Sequence, residues 1–481
     1  MKKVCQTDRP TSSRKKVILT LLTMTLALGT LASSFIQSGT AYGAEGTVSI
    51  RGEVQSNTDQ IAVWKAWIKQ HAQEFTSIQP EKLVNGSIPK QNFDDLDKLK
   101  TLLQDKRIVY LGESTHSTAE FSLAKTRLIQ YLHQELGYSR VAFESAISDA
   151  AMAQGRMNSR TPQDTLGQAL NGVYITEEVL QLFEYIKSSQ GSSTPIRLTG
   201  FDMKMDVILE PNATWIQGRA LREKLLKAEQ DIKEWMIGKR DLASFQKAKP
   251  ELIALYQRLN EELPKYKDFM QKDYPNEPQI YQLIKRAIEV RLKALNEYYE
   301  QYIDYLQKIL GGAIEVDTAF LQWRDKQMAD NLVWLATEVY PNEKLIVWAH
   351  NTHIGKATHE LYEGKVGQLK YVGELMPKEL QAQSYVIGLY MASGEIFDWF
   401  NNGIHKVLPL LPGSIEDILS ASGKPYTFMD IRYSPPVVGN EWMSRPTKSY
   451  EEGRAEHFLV PKNNYDGLIL IDKVQIPHFL K

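Results

Sequence analysis

The sequence predicts an α/β fold built on a parallel sheet and interrupted by a helical insertion or lid. Three observations carry that expectation. Apolar runs of strand type alternate with helical patterns over residues 106–210. The alternation stops over 211–338, where nearly everything is helix-patterned and highly charged. Strand-type runs then return in 339–481.

The elements follow in chain order. "TDQIAVWKAWIKQHAQEF" reads as a helix with Ile61, Trp64 and Ile68 at helical spacing, and "NFDDLDKLKTLLQD" as a second with Leu96, Leu99 and Leu103 in line. These fall in an N-terminal helical segment, 45–105. "RIVYLGE" is the first strong strand, followed by a helix from about Thr118 to Leu136 and the strand "RVAFES". Helical patterns around 148–158 and 176–188 lead to the strand "IRLTGFD". After the helical stretch, "KLIVWAHN", "SYVIGLYM", "YTFMDI" and "YDGLILID" supply the remaining strands. No fixed-period repeat and no low-complexity tract interrupts this plan.

A chain of 481 residues with 43% apolar and 24% charged residues has an ordinary globular composition. A formal net charge of −1 points to neither a nucleic-acid nor a membrane partner. The amino end has a different character. Lys2, Lys3, Arg9, Arg14, Lys15 and Lys16 precede the apolar run "VILTLLTMTLALGTLASSFI" and the small-residue stretch "SGTAYGAEG". This is the layout of a secretory signal over residues 1–44, with a cleavage site near Ala41-Tyr42-Gly43, and it predicts a secreted or extracytoplasmic protein. The only cysteine, Cys5, lies inside that segment. The mature chain therefore has no disulfide, cysteine nucleophile or cysteine-ligated metal.

Four predicted strands finish on ionisable residues: Glu113, Glu144, Asp202 and His350. Parallel sheets bind ligands at the carboxyl ends of their strands, so neighbouring strands would gather these groups in one crevice. Lys125 falls within the apolar stripe of Phe121, Ala124, Leu128, Ile129, Leu132 and Leu136. A buried ammonium must find a partner or lose its charge, and Glu113 and Glu144 are the candidates. Glu113 and His116 place a carboxylate three residues from an imidazole, the side chain best suited to general-base work near neutral pH. His350 and His353 suit metal ligation, oxyanion stabilisation or leaving-group protonation. The chain lacks HExxH, a Walker loop, GxGxxG and GxSxG, which favours activated water over a serine nucleophile.

The remaining histidines read as structural. His71 and His133 occupy exposed-looking helix positions. His359, His405, His457 and His478 have no acidic or histidine companion at suggestive spacing. Tyr298, Tyr302 and Tyr305 share one helical face and read as packing residues ahead of a substrate wall.

The segments "LGESTHSTAEFSLAKTRLIQYL", "VAFES", "GFD", "RDKQMADN" and "VWAHNTHIG" together resemble the erythromycin esterase family, in an order that extends from about Leu99 to the end of the chain. The resemblance implies a three-layer α/β/α core with a helical lid over a cleft. It also implies a metal-independent hydrolase, the best-known members opening a macrolide ring at its lactone ester. By position, the water-activating histidine falls on His116, the two cleft glutamates on Glu113 and Glu144, and a histidine pair on His350 and His353. Lys125 stands where the erythromycin-cleaving members commonly carry arginine. The exchange keeps the charge and loses the planar fork, so it bears on macrolide specificity more than on catalysis. The expected catalytic set is thus Glu113, His116, Lys125, Glu144, His350 and His353. It would act without a cofactor or covalent enzyme intermediate on a small-molecule ester or lactone, and an exported macrolide esterase would give antibiotic resistance. Two competing expectations are a metal-dependent hydrolase using the same histidines and glutamates, and an exported protein that binds a metal or small molecule without turnover.

Overall fold

A computed structural model describes residues 58–83, 92–170, 172–203, 207–313, 320–360, 369–398, 403–433 and 435–480. The signal-type segment at 1–44 lies outside these residues. Two helices, α1 (Thr58–His71) and α2 (Asp97–Leu103), precede the core, with the two-residue strand β1 (Gln73–Glu74) between them. The chain continues through β2 (Ile108–Leu111), α3 (Ala119–Leu136), β3 (Arg140–Ala146), α4 (Ile147–Gly155), α5 (Pro162–Ala169), α6 (Glu177–Ser189) and β4 (Arg197–Asp202). A helical stretch follows: α7 (Arg219–Met236), α8 (Leu242–Glu262), α9 (Lys267–Asp273), α10 (Ile280–Glu297), α11 (Tyr299–Leu310) and α12 (Leu321–Trp334). Then come β5 (Leu345–Trp348), the short helix α13 (Asn351–Ile354), β6 (Ser384–Asp398), β7 (Gly403–Lys406), β8 (Tyr426–Asp430), β9 (Thr447–Glu451), β10 (Ala455–Leu459) and β11 (Gly467–Val474).

The main sheet has the order β1-β8-β11-β6-β2-β5-β3-β4. From β4 to β11 the strands run parallel, while β8 and β1 add an antiparallel edge and β7 folds back on β6. The strand sequences explain the layering. Ile108 and Tyr110 enter one core cluster and Val109 and Leu111 the other; Leu345 and Val347 divide from Ile346 and Trp348 in the same way. Side chains alternate across a strand, so a continuous apolar run must be covered on both faces. Helices α2, α3 and α6 cover one face, and α1 with the α7–α12 stretch covers the other. The α/β/α expectation holds.

The connections create a topological switch point. β2 passes through α3 on one face to reach β3, two places along the sheet. β5 returns over the opposite face to β6, on the far side of β2. The chain therefore departs in opposite directions from the neighbouring strands β2 and β5, the arrangement that opens a ligand site at carboxyl ends. Helix α3 starts cleanly there because Thr118 accepts a hydrogen bond from the Phe121 N–H.

Several boundaries differ from the periodic reading. Helix α1 stops at His71, because Gln73 and Glu74 pair with Phe428 and Thr427 instead. The second pattern splits into a 3-10 turn, Asp94–Leu96, and α2. The periodic pattern gives no sign of the α5 helix, β7 or the separate β9–β10 hairpin. Lys448, Glu451 and Glu456 interrupt the apolar runs that would have announced the hairpin. Tyr298, Tyr302 and Tyr305 do not occupy one helix: Tyr298 sits at the break between α10 and α11. All three are buried, with Tyr298 stacked on Trp323 and Tyr305 against Phe320, which supports the packing reading. No helix among the described residues is long and apolar enough to cross a membrane.

Candidate active site

The strands that end on ionisable residues are neighbours. Along β2, β5, β3 and β4 stand Glu113, His350, Glu144 and Asp202, all buried. Two glycines make the close approaches possible. A Cβ on Gly112 would strike Asn351 Oδ1 and lie 2.6 Å from Ile354 Cδ1. Gly200 faces a bulge in β3, where Phe143 pairs with Gly200 but Ala146 already pairs with Asp202. Glu144 lies inside that bulge, which redirects its side chain.

Glu113 organises the first half of the site. Its Oε1 lies 2.6 Å from His116 Nδ1 and accepts a 3.0 Å hydrogen bond from the Tyr174 hydroxyl. Its Oε2 forms a 2.7 Å ion pair with Lys125 Nζ, which also stands 4.5 Å from the Trp348 ring centre. Lys125 is wholly buried, as its place in the apolar stripe predicted, and Glu113 is its partner. Burial pushes the Glu113 carboxyl up, but the Lys125 charge and the His116 contact outweigh it and bring its pKa to about 2. Burial pulls Lys125 down and Glu113 restores part of the loss, leaving it at about 8. His116 keeps 11% of its side chain exposed, more than any other of the six expected site residues.

Glu144 organises the second half. Its Oε1 is 3.1 Å from Arg324 Nη2 and 3.3 Å from His353 Nε2, while Oε2 accepts from the His350 backbone N–H at 3.1 Å. Arg324 also grips Asp202, with Nε on Oδ1 at 3.1 Å and Nη2 on Oδ2 at 2.7 Å. His353 Nδ1 lies 2.6 Å from Asp325 Oδ1. Burial alone would raise the Glu144 carboxyl, but His353, His116 and Arg324 hold it well below its usual range. Burial also disfavours the charged form of His353, yet Asp325 and Glu144 raise its pKa to about 10.

His350 joins the halves. It precedes α13, and its ring stands 5.1 Å from that of His116 in an edge-to-face arrangement. Its Nδ1 is 3.1 Å from both Thr352 Oγ1 and Glu451 Oε1. Burial lowers the pKa of this imidazole, but Glu451, Glu452 and Glu144 more than compensate and bring it to about 9. All six residues expected from the sequence therefore meet in one cluster at the carboxyl ends of the strands.

Sequence reasoning missed Tyr174, Arg324, Asp325, Glu451 and Glu452. Arg324 and Asp325 lie within "RDKQMADN", and adjacent opposite charges on the buried side of α12 were an available signal. Tyr174 and the hairpin glutamates had no local signal. Among the other histidines, His133 is not an exposed position: it is half-buried and bonded to the Tyr185 hydroxyl and the Thr194 carbonyl. His359, His405 and His478 pair with Glu374, Asp398 and Glu178 at 2.8, 3.2 and 2.6 Å, partners distant enough in the sequence, or on another strand, to escape a spacing test. Among the described residues, no group of three or more His, Cys, Asp or Glu side chains is disposed to hold a metal ion.

Comparison with known proteins places the chain in a family. The family described as erythromycin esterase matches residues 133–474, a span that begins beyond Glu113, His116 and Lys125. A putative hydrolase, YbfO, of Bacillus subtilis (strain 168) is 32% identical over 419 residues, covering 85% of this chain and 91% of its own. Erythromycin esterase type II of Escherichia coli is 26% identical over 412 residues, covering 81% of this chain and 94% of its own. A crystal structure of a Bacillus cereus protein shares the fold at a TM-score of 0.62 with 20% identity, over 88% of this chain and all of that one. The chain belongs to the erythromycin esterase family.

Proposed function

We propose that this protein hydrolyses a carboxylic ester or lactone with water activated by His116 and without a covalent enzyme intermediate. The observation that carries the reading is the Glu113–His116 pair, with His116 the most exposed of the clustered residues. Nδ1 of His116 is taken by a carboxylate that stays ionised, and no described residue is bonded to Nε2. In this reading Nε2 takes a proton from water as the water oxygen adds to the acyl carbon. Glu113 balances the imidazolium that forms. The developing oxyanion meets the protonated His350 and His353, whose raised pKa values keep them charged at neutral pH. Lys125, sealed behind Glu113, acts by keeping that carboxylate ionised. When the carbon–oxygen bond breaks, a histidine of the pair protonates the departing alkoxide.

The name of the Escherichia coli relative makes a macrolide lactone the first substrate to try. Export through residues 1–44 is part of the proposal, so the reaction would take place outside the cytoplasmic membrane; the amino-terminal residue of protein collected from the medium tests this. The central test is mass-spectrometric detection of cleavage across aryl esters, lactones and erythromycin, with His116→Ala alongside. The variant is expected to lose about 10²–10⁴ in turnover while retaining its unfolding midpoint. Undiminished turnover would remove His116 from the mechanism.

A further inference from the structure

We propose that the β9–β10 hairpin is a second acid–base support, with Glu451 the positioning residue that fixes His350 through Nδ1 and aims its Nε2–H at the departing alkoxide. The proposal rests on the ester-hydrolysis reading and extends it to residues outside the main sheet. It starts from the hairpin turn. Glu452 has φ 53°, the only positive φ at a non-glycine residue among those described, and Gly453 follows at φ 59°. A β-carbon disfavours that conformation, so the surroundings must hold it in place. The Glu452 N–H donates to the Ser114 carbonyl at 2.9 Å, tying the turn to the loop that carries Glu113 and His116.

The same turn delivers two carboxylates to His350. Glu451 Oε1 lies 3.1 Å from Nδ1 and accepts the Thr352 hydroxyl at 2.7 Å, which fixes its orientation. Glu452 Oε1 lies 3.7 Å from Nε2, too far for a hydrogen bond, and the buried Nε2 has no other partner. Both facing imidazoles thus have a glutamate beside Nδ1: Glu113 hydrogen-bonded to His116 at 2.6 Å, and Glu451 within ion-pair distance of His350, whose Nδ1 also accepts the Thr352 backbone N–H at 3.3 Å. Their surroundings separate their roles. Glu113 already spends its charge on Lys125. His350 faces Glu451 and Glu452 from the hairpin and Glu144 from β3, opposed by His116 after β2 and His457 on β10, with Thr352 neutral. Burial pushes the Glu451 carboxyl up, and Glu452 adds to this, so the pair of carboxylates is best accommodated beside a cation. In the reaction, the acyl–oxygen bond breaks, its electron pair stays on the alkoxide, and that oxygen takes the Nε2 proton. Solvent reprotonates His350 and accepts the proton that His116 drew from water.

Glu451→Gln tests this by keeping the shape and the Thr352 acceptor while removing the charge. The first readout is titration of the His350 ring in histidine-selective ¹⁵N-labelled protein, assigned with His350→Gln. The expected result is a fall of at least about one pH unit in its midpoint. The alkaline limb of kcat on a cleaved aryl ester should fall by the same amount, with KM unchanged and with partial recovery in Glu451→Asp. An unmoved His350 titration, or an equal loss of kcat at every pH, overturns the proposal. Glu452→Gln, at the more exposed tip, should shift the same limb in the same direction by less; if Glu451→Gln does not fold, an unmoved titration in Glu452→Gln overturns it instead. The ring titration needs no substrate. Lack of turnover in the unmutated protein would defeat the ester reading alone, whereas an unmoved titration defeats the role of Glu451 alone.

Discussion

Strand β3 carries a buried charge cluster at each end, and the two differ in what they leave unspent. At the amino end, Arg140 donates through Nε and Nη2 to Glu343 at 3.0 and 3.1 Å and through Nη1 to Glu277 at 3.3 Å. Its guanidinium also lies 3.5 Å from the Tyr340 ring centre. Every nitrogen of this cation has a partner, and Glu277 comes from the helical stretch, so the cluster fastens that layer to the sheet. At the carboxyl end, Arg324 likewise holds two carboxylates, Asp202 and Glu144. Here the carboxylates are shared with imidazoles: His353 Nε2 faces Glu144 at 3.3 Å, and His350 Nε2 is buried without a hydrogen bond. Charge burial alone does not mark a site. Imidazoles with bonding capacity left over do, whereas the atoms left without a hydrogen bond around the amino end are the Arg197 Nε and the Tyr340 hydroxyl.

The largest expected effect tests the amino end. Arg140→Ala leaves Glu277 buried without its cation and should cost about 3–5 kcal/mol of stability, read from the urea midpoint. The kcat of the protein that remains folded should not change. A loss of kcat without a loss of stability would break the contrast between the two ends.

An effect of comparable size tests the carboxyl end through pH. His350 and His353 have folded-state pKa values of about 9 and 10, raised from 6.5. Their contribution is complete below pH 6.5 and is lost as pH rises through the folded values, at about 1.4 kcal/mol per pH unit for each group. Lys125 has the opposite sign: its pKa is depressed from 10.5 to about 8, so between those values the unfolded chain binds more protons and stability rises. The net loss should fall between pH 6.5 and 9 and then level off. A series of urea midpoints that stays flat over this range would show that the two histidines are neutral in the folded protein.

The smallest effect concerns Lys125. Lys125→Met removes the strongest of the attractions that depress the Glu113 carboxyl, which should rise from about 2. The acid limb of kcat/KM should then move up by about one pH unit. An acid limb that stays in place would mean that Glu113 is held ionised by His116 alone.

The core was legible to different depths. The alternation of apolar runs and helical stripes foretold the parallel strands, and the stripe around Lys125 foretold its burial, because both depend on periods of two and 3.6 residues. The same logic failed where a segment owes its form to a distant partner. Gln73 and Glu74 leave a helical pattern to pair with β8, and the β9–β10 hairpin carries charges where an isolated strand would show apolar residues.

By itself the sequence determined which residues would be turned inward and which strands would end in charge, since backbone geometry repeats within a few residues. Only the tertiary structure decided the strand order that sets Glu113, His350, Glu144 and Asp202 side by side. It also decided the partners that give them their charge states. Tyr174 reaches Glu113 across 61 residues, Glu451 reaches Thr352 across 99 and Arg324 reaches Glu144 across 180. Such contacts depend on the path of the whole chain, because electrostatic and hydrogen-bond energies follow distance in space and leave no period in the sequence.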